Sequence, residues 1–470
     1  VMATHSERAA AEGFARRRVA QALHGSSAQQ PESPLRRTIA AVCLAGLVYG
    51  GIAASTALRG GLPAGWDTNS VVVTGSGARY VGLDGVLYPV VNASSARLLV
   101  PASSFHVVTV SDDQLTGARR GASIGIVGGP ESVPGQARLA ATGWTACVSA
   151  GQLLTQVQPD PPAAPASGRA ALVRTAGELV IVTDRVALPI PAADATAVLR
   201  ALRLDTVAPV DVPQSWVDLF PAGPPLVPLR LDGSGAAAGA SLPRTARVGS
   251  VLVVDEETPT PRRYLVTSPG RLSALSPLGY ALYRLGADPA AGGDLTVTAE
   301  AIAAAPTAVD PPVPIQWPAV LGPSLLTRPC AMLLGSAGGL PTTTLALVPA
   351  TSSPVRTVPV GGGALVRPTT GGATATGPVQ LIDDTGTAYP VPQADTETLG
   401  RLGYTEKDIA AVPVAWTRLF PTGPALSITE AARPVVPGSG GARTVDGSGD
   451  GGTGGSAASS VMIGTAAAPM

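Results

Sequence analysis

A fifteen-residue phrase occurs twice in this chain, 200 positions apart. Val212-Pro213-Gln214-Ser215-Trp216-Val217-Asp218-Leu219-Phe220-Pro221-Ala222-Gly223-Pro224-Pro225-Leu226 is answered by Val412-Pro413-Val414-Ala415-Trp416-Thr417-Arg418-Leu419-Phe420-Pro421-Thr422-Gly423-Pro424-Ala425-Leu426. Nine of these positions are identical. The whole chain has four Phe and five Trp, so a matched pair of each is a duplication and no coincidence. Repeated modules bury their faces on one another, which favours a scaffold over a single catalytic pocket.

The rest of the composition agrees. Basic and acidic residues balance at 32 each, so no field that would attract nucleic acid is built in. With 56 Gly, 46 Pro and 4% aromatics, the chain suits short strands and turns better than a helical bundle. The predicted fold is mainly β with short helices, an α+β chain behind one N-terminal transmembrane helix.

That helix is Thr38 to Leu58, an uncharged apolar stretch. At about 1.5 Å per residue it roughly spans a hydrocarbon core of about 30 Å. Arg8, Arg16, Arg17, Arg18, Arg36 and Arg37 precede it. Positive charge is retained inside, so residues 1–37 are expected in the cytoplasm and the bulk of the chain beyond the plasma membrane. A cleaved signal peptide is the rival, disfavoured by the long charged region and the length of the apolar run. Gly46, Gly50 and Ala54 form a small-residue face on which another helix could pack. Phe14, Arg16, Arg17, Arg18 and Leu23 belong to a short basic amphipathic helix, the expected cytoplasmic partner contact.

Cys43 falls inside the span, and Cys147 and Cys330 fall in the exported part, where a cystine can persist. The reading is a Cys147–Cys330 disulfide, with two buried thiols as the alternative. Closing a loop between residues 183 positions apart is worth about 5 kcal/mol in the chain-entropy picture.

Four hairpins mark four repeats. They run Tyr80–Val90, Leu179–Pro191, Tyr264–Ser273 and Val379–Pro392, with Asp, Gly or Pro-Gly at the turns. Helices are expected after the last three: Thr196–Leu204 behind Asp194, Leu278–Leu285 between Pro277 and Gly286, and Thr396–Leu402 between Asp395 and Gly403. The repeats are bounded as 71–118, 169–226, 259–305 and 362–430. Segments 119–157, 227–258 and 306–350 are assigned to a central β core closed by the cystine. Within them Gly121–Cys147, Arg247–Asp255 and Pro312–Leu334 supply its strands. Gln158–Gly168 is a Pro/Ala linker, and 438–470 a disordered Gly/Ser-rich tail.

Enzyme motifs fare poorly. Gly121-Ala122-Ser123-Ile124-Gly125 matches the nucleophile elbow, but the three histidines, His5, His24 and His106, all precede the serine. A phosphate loop needs a lysine, and Lys407 is the only one in the chain. Gly447–Gly452 fits a dinucleotide fingerprint inside low-complexity sequence with no strand before it. No acidic cluster has calcium-loop spacing. Neither a cofactor nor a metal is expected.

Together these residues resemble EccB, the single-span membrane component of actinobacterial type VII (ESX) secretion. The resemblance rests on Phe14–Leu23 ahead of the span and on Val212–Leu226 with its copy. Ile124-Gly125-Ile126-Val127-Gly128-Gly129-Pro130-Glu131-Ser132-Val133-Pro134, with Trp144 and Cys147 behind it, carries it further. It implies a structural subunit that scaffolds channel assembly outside the cytoplasm. It also implies assembly with an FtsK/SpoIIIE-type motor ATPase (EccC), with EccD and EccE, with other EccB copies and with membrane lipid. The family carries an ATPase label. The alternatives are therefore that activity, or an anchored cell-wall-binding or cell-wall-active protein.

Overall fold

The structure, a computed structural model, describes residues 61–435 apart from 150, 162, 255–256, 259–260, 322–324, 337–338, 349–357 and 371–376. The predicted span, the basic helix and the Gly-rich tail lie outside the described residues. Among the described residues no helix is long and apolar enough to cross a membrane.

Five sheets organise the described residues. The first unit is built from β1 (Ser70–Thr74), β2 (Arg79–Leu83), β3 (Val86–Pro89), α1 (Ala93–Leu99) and β4 (Val107–Val110). Strands β1 to β3 form an antiparallel meander, and β4 returns parallel to β1. The β2–β3 turn is Asp84-Gly85, both at positive φ (49° and 75°), the backbone a two-residue hairpin turn requires. Helix α1, absent from the sequence-based expectation, is capped by Asn92, whose Oδ1 accepts from Ser95 N at 3.0 Å.

Next come β5 (Thr145–Ser149), β6 (Gln152–Gln156) and the two-residue β7 (Ala164–Pro165). The second unit is β8 (Ala171–Thr175), β9 (Glu178–Val182), β10 (Ala187–Ile190), α2 (Ala195–Ala201) and β11 (Val210–Asp211), followed by α3 (Gln214–Val217). The third is β12 (Val251–Val254), β13 (Arg262–Ser268), β14 (Arg271–Leu275), α4 (Pro277–Gly286) and β15 (Asp294–Thr296), followed by α5 (Ala299–Ile302). Strands β16 (Cys330–Ser336) and β17 (Gly339–Leu347) then precede the fourth unit. That unit holds β18 (Ala364–Thr369), β19 (Val379–Ile382), β20 (Ala388–Val391), α6 (Thr396–Leu402), β21 (Ala410–Pro413), α7 (Val414–Thr417) and α8 (Ile428–Ala431).

All four units share one strand order, with the first strand between the second and the fourth: β3-β2-β1-β4, β10-β9-β8-β11, β14-β13-β12-β15 and β20-β19-β18-β21. The central sheet runs β6-β5-β16-β17-β7. The chain therefore leaves this sheet at β7, builds units 2 and 3, and re-enters at β16.

Helices of seven residues do not hold in isolation, so packing stabilises them. Units 1 and 4 share one apolar cluster, in which Val81, Leu98 and Leu99 meet Leu381, Leu399 and Leu402. Units 2 and 3 share another, in which Leu172, Ile181 and Val198 meet Leu278 and Leu282. The opposite faces of units 2 and 4 close on the central sheet in a third cluster, with Val173, Val182, Val366 and Ile382 around Ala146, Ala331 and Leu345. Each fully buried side chain of this size contributes about 1.5–3 kcal/mol.

Several expectations need correction. Val251–Val254, assigned to the central sheet through Arg247–Asp255, instead pairs with β13 and β15 and opens unit 3. Of Gly121–Cys147 only β5 enters the central sheet, and of Pro312–Leu334 only the start of β16 does. Trp317 packs with units 2 and 3, its Nε1 donating to Pro224 O at 3.3 Å. The Pro/Ala linker supplies β7, since a sheet edge tolerates a residue without N–H. Asp194 stands at the start of α2 without a side-chain cap bond, whereas Asp395 accepts from Thr398 N at 2.8 Å. Gly286 is the last helical residue of α4, and a Cβ there would run into the Leu229 carbonyl.

Candidate assembly core

Each copy of the phrase sets one short helix and one tryptophan against the central sheet. Pro213 holds extended backbone (φ −70°, ψ 151°) and α3 begins directly after it. Trp216, fully buried, then donates from Nε1 to Ala146 O on β5 at 2.9 Å. In unit 4, Trp416 donates from Nε1 to Thr343 Oγ1 on β17 at 2.9 Å. Buried indoles need such a partner, because an unpaired N–H in an apolar core is costly. Trp144, just before β5, stands edge-on to Trp416 (6.3 Å, 81°) and to Phe420 (5.7 Å, 86°). Trp216 tilts over Phe220 at 5.1 Å.

The second half of the phrase binds back to its own unit. Ala187 N donates to Pro221 O (3.0 Å), Gly223 N to Ala187 O (2.8 Å) and Leu226 N to Pro189 O (2.8 Å). Ala388 N to Pro421 O (2.9 Å), Gly423 N to Ala388 O (2.8 Å) and Leu426 N to Pro390 O (2.7 Å) repeat the pattern. The shared glycine is required by close approach. A Cβ on Gly223 would strike the Leu188 side chain, and one on Gly423 the Tyr389 ring.

Unit 1 makes the same three bonds with unrelated side chains: Leu87 N to Arg119 O (2.8 Å), Gly121 N to Leu87 O (2.9 Å) and Ile124 N to Pro89 O (2.9 Å). This places Gly121 where Gly223 and Gly423 stand, against the ring of Tyr88. The elbow-like Gly121–Gly125 is thus the first unit's version of the return segment. Ser123 lies in that segment, its carbonyl accepting from Val435 N at 2.8 Å.

Cys147 and Cys330 are directly opposed on β5 and β16 and joined by a disulfide, with 4.0 Å between their Cα atoms. The neighbouring bonds explain the spacing. Val148 N reaches Pro329 O at 3.1 Å and Leu333 N reaches Trp144 O at 2.8 Å, so residues 147 and 330 fall on a narrow, non-hydrogen-bonded pair. Gly46, Gly50 and Ala54 in the predicted span lie outside the described residues. So do Phe14, Arg16, Arg17, Arg18 and Leu23 of the predicted partner contact.

Other positions that hold the assembly carry no motif. Tyr404 is buried and donates from its hydroxyl to Pro134 O at 2.6 Å. Burial raises its pKa, with the Asp408 charge adding to the rise and the Arg97 charge opposing it. Asp184 and Asp384 occupy matching turns and accept at Oδ2 from Gly168 N (3.0 Å) and Gly361 N (2.8 Å). Among the described residues, no group of three or more His, Cys, Asp or Glu could hold a metal. The bonds made by Tyr404, Asp184 and Asp384 join separate segments of the chain.

Such a site defines a multi-unit β protein whose distinctive residues serve internal docking. The chain belongs to the EccB family: the family described as Type VII secretion system ESX-1, transport TM domain B, matches residues 2–435. The ESX-3 secretion system ATPase EccB3 of Mycolicibacterium smegmatis is 28% identical over 464 residues, covering 88% of this chain and 87% of that protein. The structure of the EccB3 dimer from the ESX-3 core complex superposes with a TM-score of 0.62 at 23% identity, over 78% of this chain and 100% of the other. A chain of the periplasmic assembly from the ESX-5 inner membrane complex gives 0.59 at 21% identity, over 80% and 99%. At these identities the likeness to the solved structures is one of fold.

Proposed function

We propose that this protein is a structural subunit of a type VII secretion membrane complex, scaffolding channel assembly on the extracytoplasmic side. The observation that carries the reading is the docking of Trp216 and Trp416 on one sheet, which ties units 2 and 4 together, while units 1 and 3 pack on these two to complete one body. Such a body offers several similar outer surfaces at fixed spacing, suited to holding neighbouring subunits in register. The residues before Thr38 remain cytoplasmic in this reading, and Gly46, Gly50 and Ala54 pack the span against other helices. The Phe14–Leu23 helix meets an EccC-type motor. EccD, EccE, further EccB copies and membrane lipid complete the surroundings, and the cystine holds the exported body closed.

The ATPase name of the M. smegmatis relative favours a second reading, which the residues do not support. Lys407, the sole lysine, sits exposed in the turn Glu406–Asp408 and follows Glu406, not the glycine that a phosphate loop requires. Phosphate release measured across gel-filtration fractions should not follow the protein peak; saturable release that follows it would favour the enzyme. The scaffold reading is tested by deleting residues 12–23. The protein should stay membrane-anchored and folded while EccC- and EccD-like partners are lost and secretion stops. Normal secretion from an intact complex would refute the cytoplasmic contact.

A further inference from the structure

Unit 3 has the phrase's backbone without its aromatics. Leu272 N donates to Pro306 O at 3.0 Å and Ala308 N to Leu272 O at 2.8 Å, as Ala187, Pro221 and Gly223 do in unit 2. That register lays α5 on α3, Ala301 on Trp216 and Ala305 on Phe220. The apolar cluster on this face, formed by Leu252, Val266 and Leu272 with Leu242 and Val248, includes no residue of the central sheet. Between α5 and the strands β13 and β14 there is a cleft of about 250 Å³, lined mainly by Tyr264, Leu272, Ala274, Ile302 and Ala305, with Arg262 and Thr307 at it as well.

The other units show what this face accepts. Trp216 with Phe220 and Trp416 with Phe420 cover it in units 2 and 4. In unit 1, Ala118 stands at the Phe220 position, and Leu62 and Trp66 of the incoming segment pack there instead. Among the described residues, unit 3 draws no aromatic side chain from beyond its own sheet to this face, and Ala238, Leu242 and Val248 of the segment leading into it pack there.

We propose that the unit 3 cleft receives a Phe or Trp side chain from a different protein. A second copy of this chain offers no exposed Phe or Trp among the described residues, where each is buried or half-buried in its own fold. Among the described residues the exposed large hydrophobics are Val, Leu and Ile. The aromatics outside those residues are Phe14 and Tyr49, in the predicted cytoplasmic helix and span. The assignment rests on the scaffold reading and names the chemistry of one of its contacts.

The test uses the full-length protein in mild detergent with indole and toluene, which stand in for the two side chains. An apolar cavity of about 150 Å³ already admits benzene. Both probes should raise the melting temperature of the wild type by several degrees. Ala305→Phe, which fills the cleft from the segment after α5, and Ala274→Leu, which narrows it from β14, should each abolish the shift. Partitioning into micelles affects all three proteins alike and cancels. No shift in the wild type, or equal shifts in both variants, would overturn the site. In cells, the Ala305→Phe protein should copurify with less than a tenth of the normal amount of one non-self subunit. Retention of every subunit would overturn the partner, and loss of self-association alone would reassign the cleft to a second copy. Failure of the scaffold reading is distinguishable, because the wild type would then bring down no complex at all.

Discussion

Arg97 and Arg401 cap each other's helices. Arg97, in the last turn of α1, donates from a terminal guanidinium nitrogen to Leu402 O at the end of α6 (3.2 Å). Arg401, in the last turn of α6, donates to Leu98 O at the end of α1 (2.7 Å). Each cation meets carbonyls that its neighbour's helix leaves unpaired, where the helix dipole is negative. The exchange makes the contact between units 1 and 4 locally two-fold, although more than 300 positions separate the partners.

Removing one side of that exchange should be felt. The Arg401 side chain is 12% exposed, so Arg401→Met should lower stability by about 1–3 kcal/mol in urea denaturation. Arg284→Met, which breaks an exposed 3.7 Å pair with Asp294, should cost under about 1 kcal/mol. Equal costs would show that the carbonyl contacts contribute nothing.

At the core, Trp216→Phe and Trp416→Phe each delete one N–H and strand an acceptor on the central sheet. We expect a loss of about 1–3 kcal/mol for each. Alanine at either position should cost about 3–5 kcal/mol by opening a cavity. Thermal melts followed by the fluorescence of the remaining tryptophans would measure both.

The cystine constrains the unfolded chain more than the folded one. Cys147→Ser should therefore remove up to about 5 kcal/mol, and the non-reduced protein should migrate faster than the reduced one on gels. Two titratable thiols in the purified protein would contradict the bond.

Alkaline pH should weaken the contact made by Tyr404. Its folded pKa is raised by burial, so the unfolded tyrosine ionises first, near about 10. The stabilisation is complete below that pH and declines as pH rises beyond it. Melting temperature against pH above about 10 should fall less steeply in Tyr404→Phe than in the wild type.

Gly121 and Ser123 separate the packing role from the catalytic one. Gly121→Ala drives a methyl into the Tyr88 ring and should cost about 1–3 kcal/mol. Ser123→Ala should leave both stability and secretion unchanged. Loss of secretion in a folded Ser123→Ala protein would revive a hydrolase.

The tryptophan phrases were readable because rare residues mark them, and their contacts explain why: an indole needs both a cavity and an acceptor. Units 1 and 3 keep the same geometry through backbone bonds, which leave almost no trace in residue type. Gly121 is the exception, and its elbow-like spacing pointed elsewhere. The origin of Val251–Val254 was hidden for another reason. Four consecutive buried apolar residues suit either sheet, and the choice depends on Arg262–Leu265 arriving as the partner. The bounds of α6 were visible in Asp395 and Gly403, but nothing in the residues near Arg401 announces Leu98 as the acceptor.

The central sheet also sets an order of events during synthesis. Strand β5 emerges early, yet its neighbour β16 is made only after units 2 and 3, and α1 waits longer still for α6. The chain thus closes like nested brackets: units 2 and 3 against each other, then the sheet and its cystine, and last the pair that holds Arg97 and Arg401. A ribosome that stops before residue 330 releases a protein with every outer bracket open. Such an unfinished copy leaves bare the faces of β5 and α1 that the complete chain buries against β16 and α6.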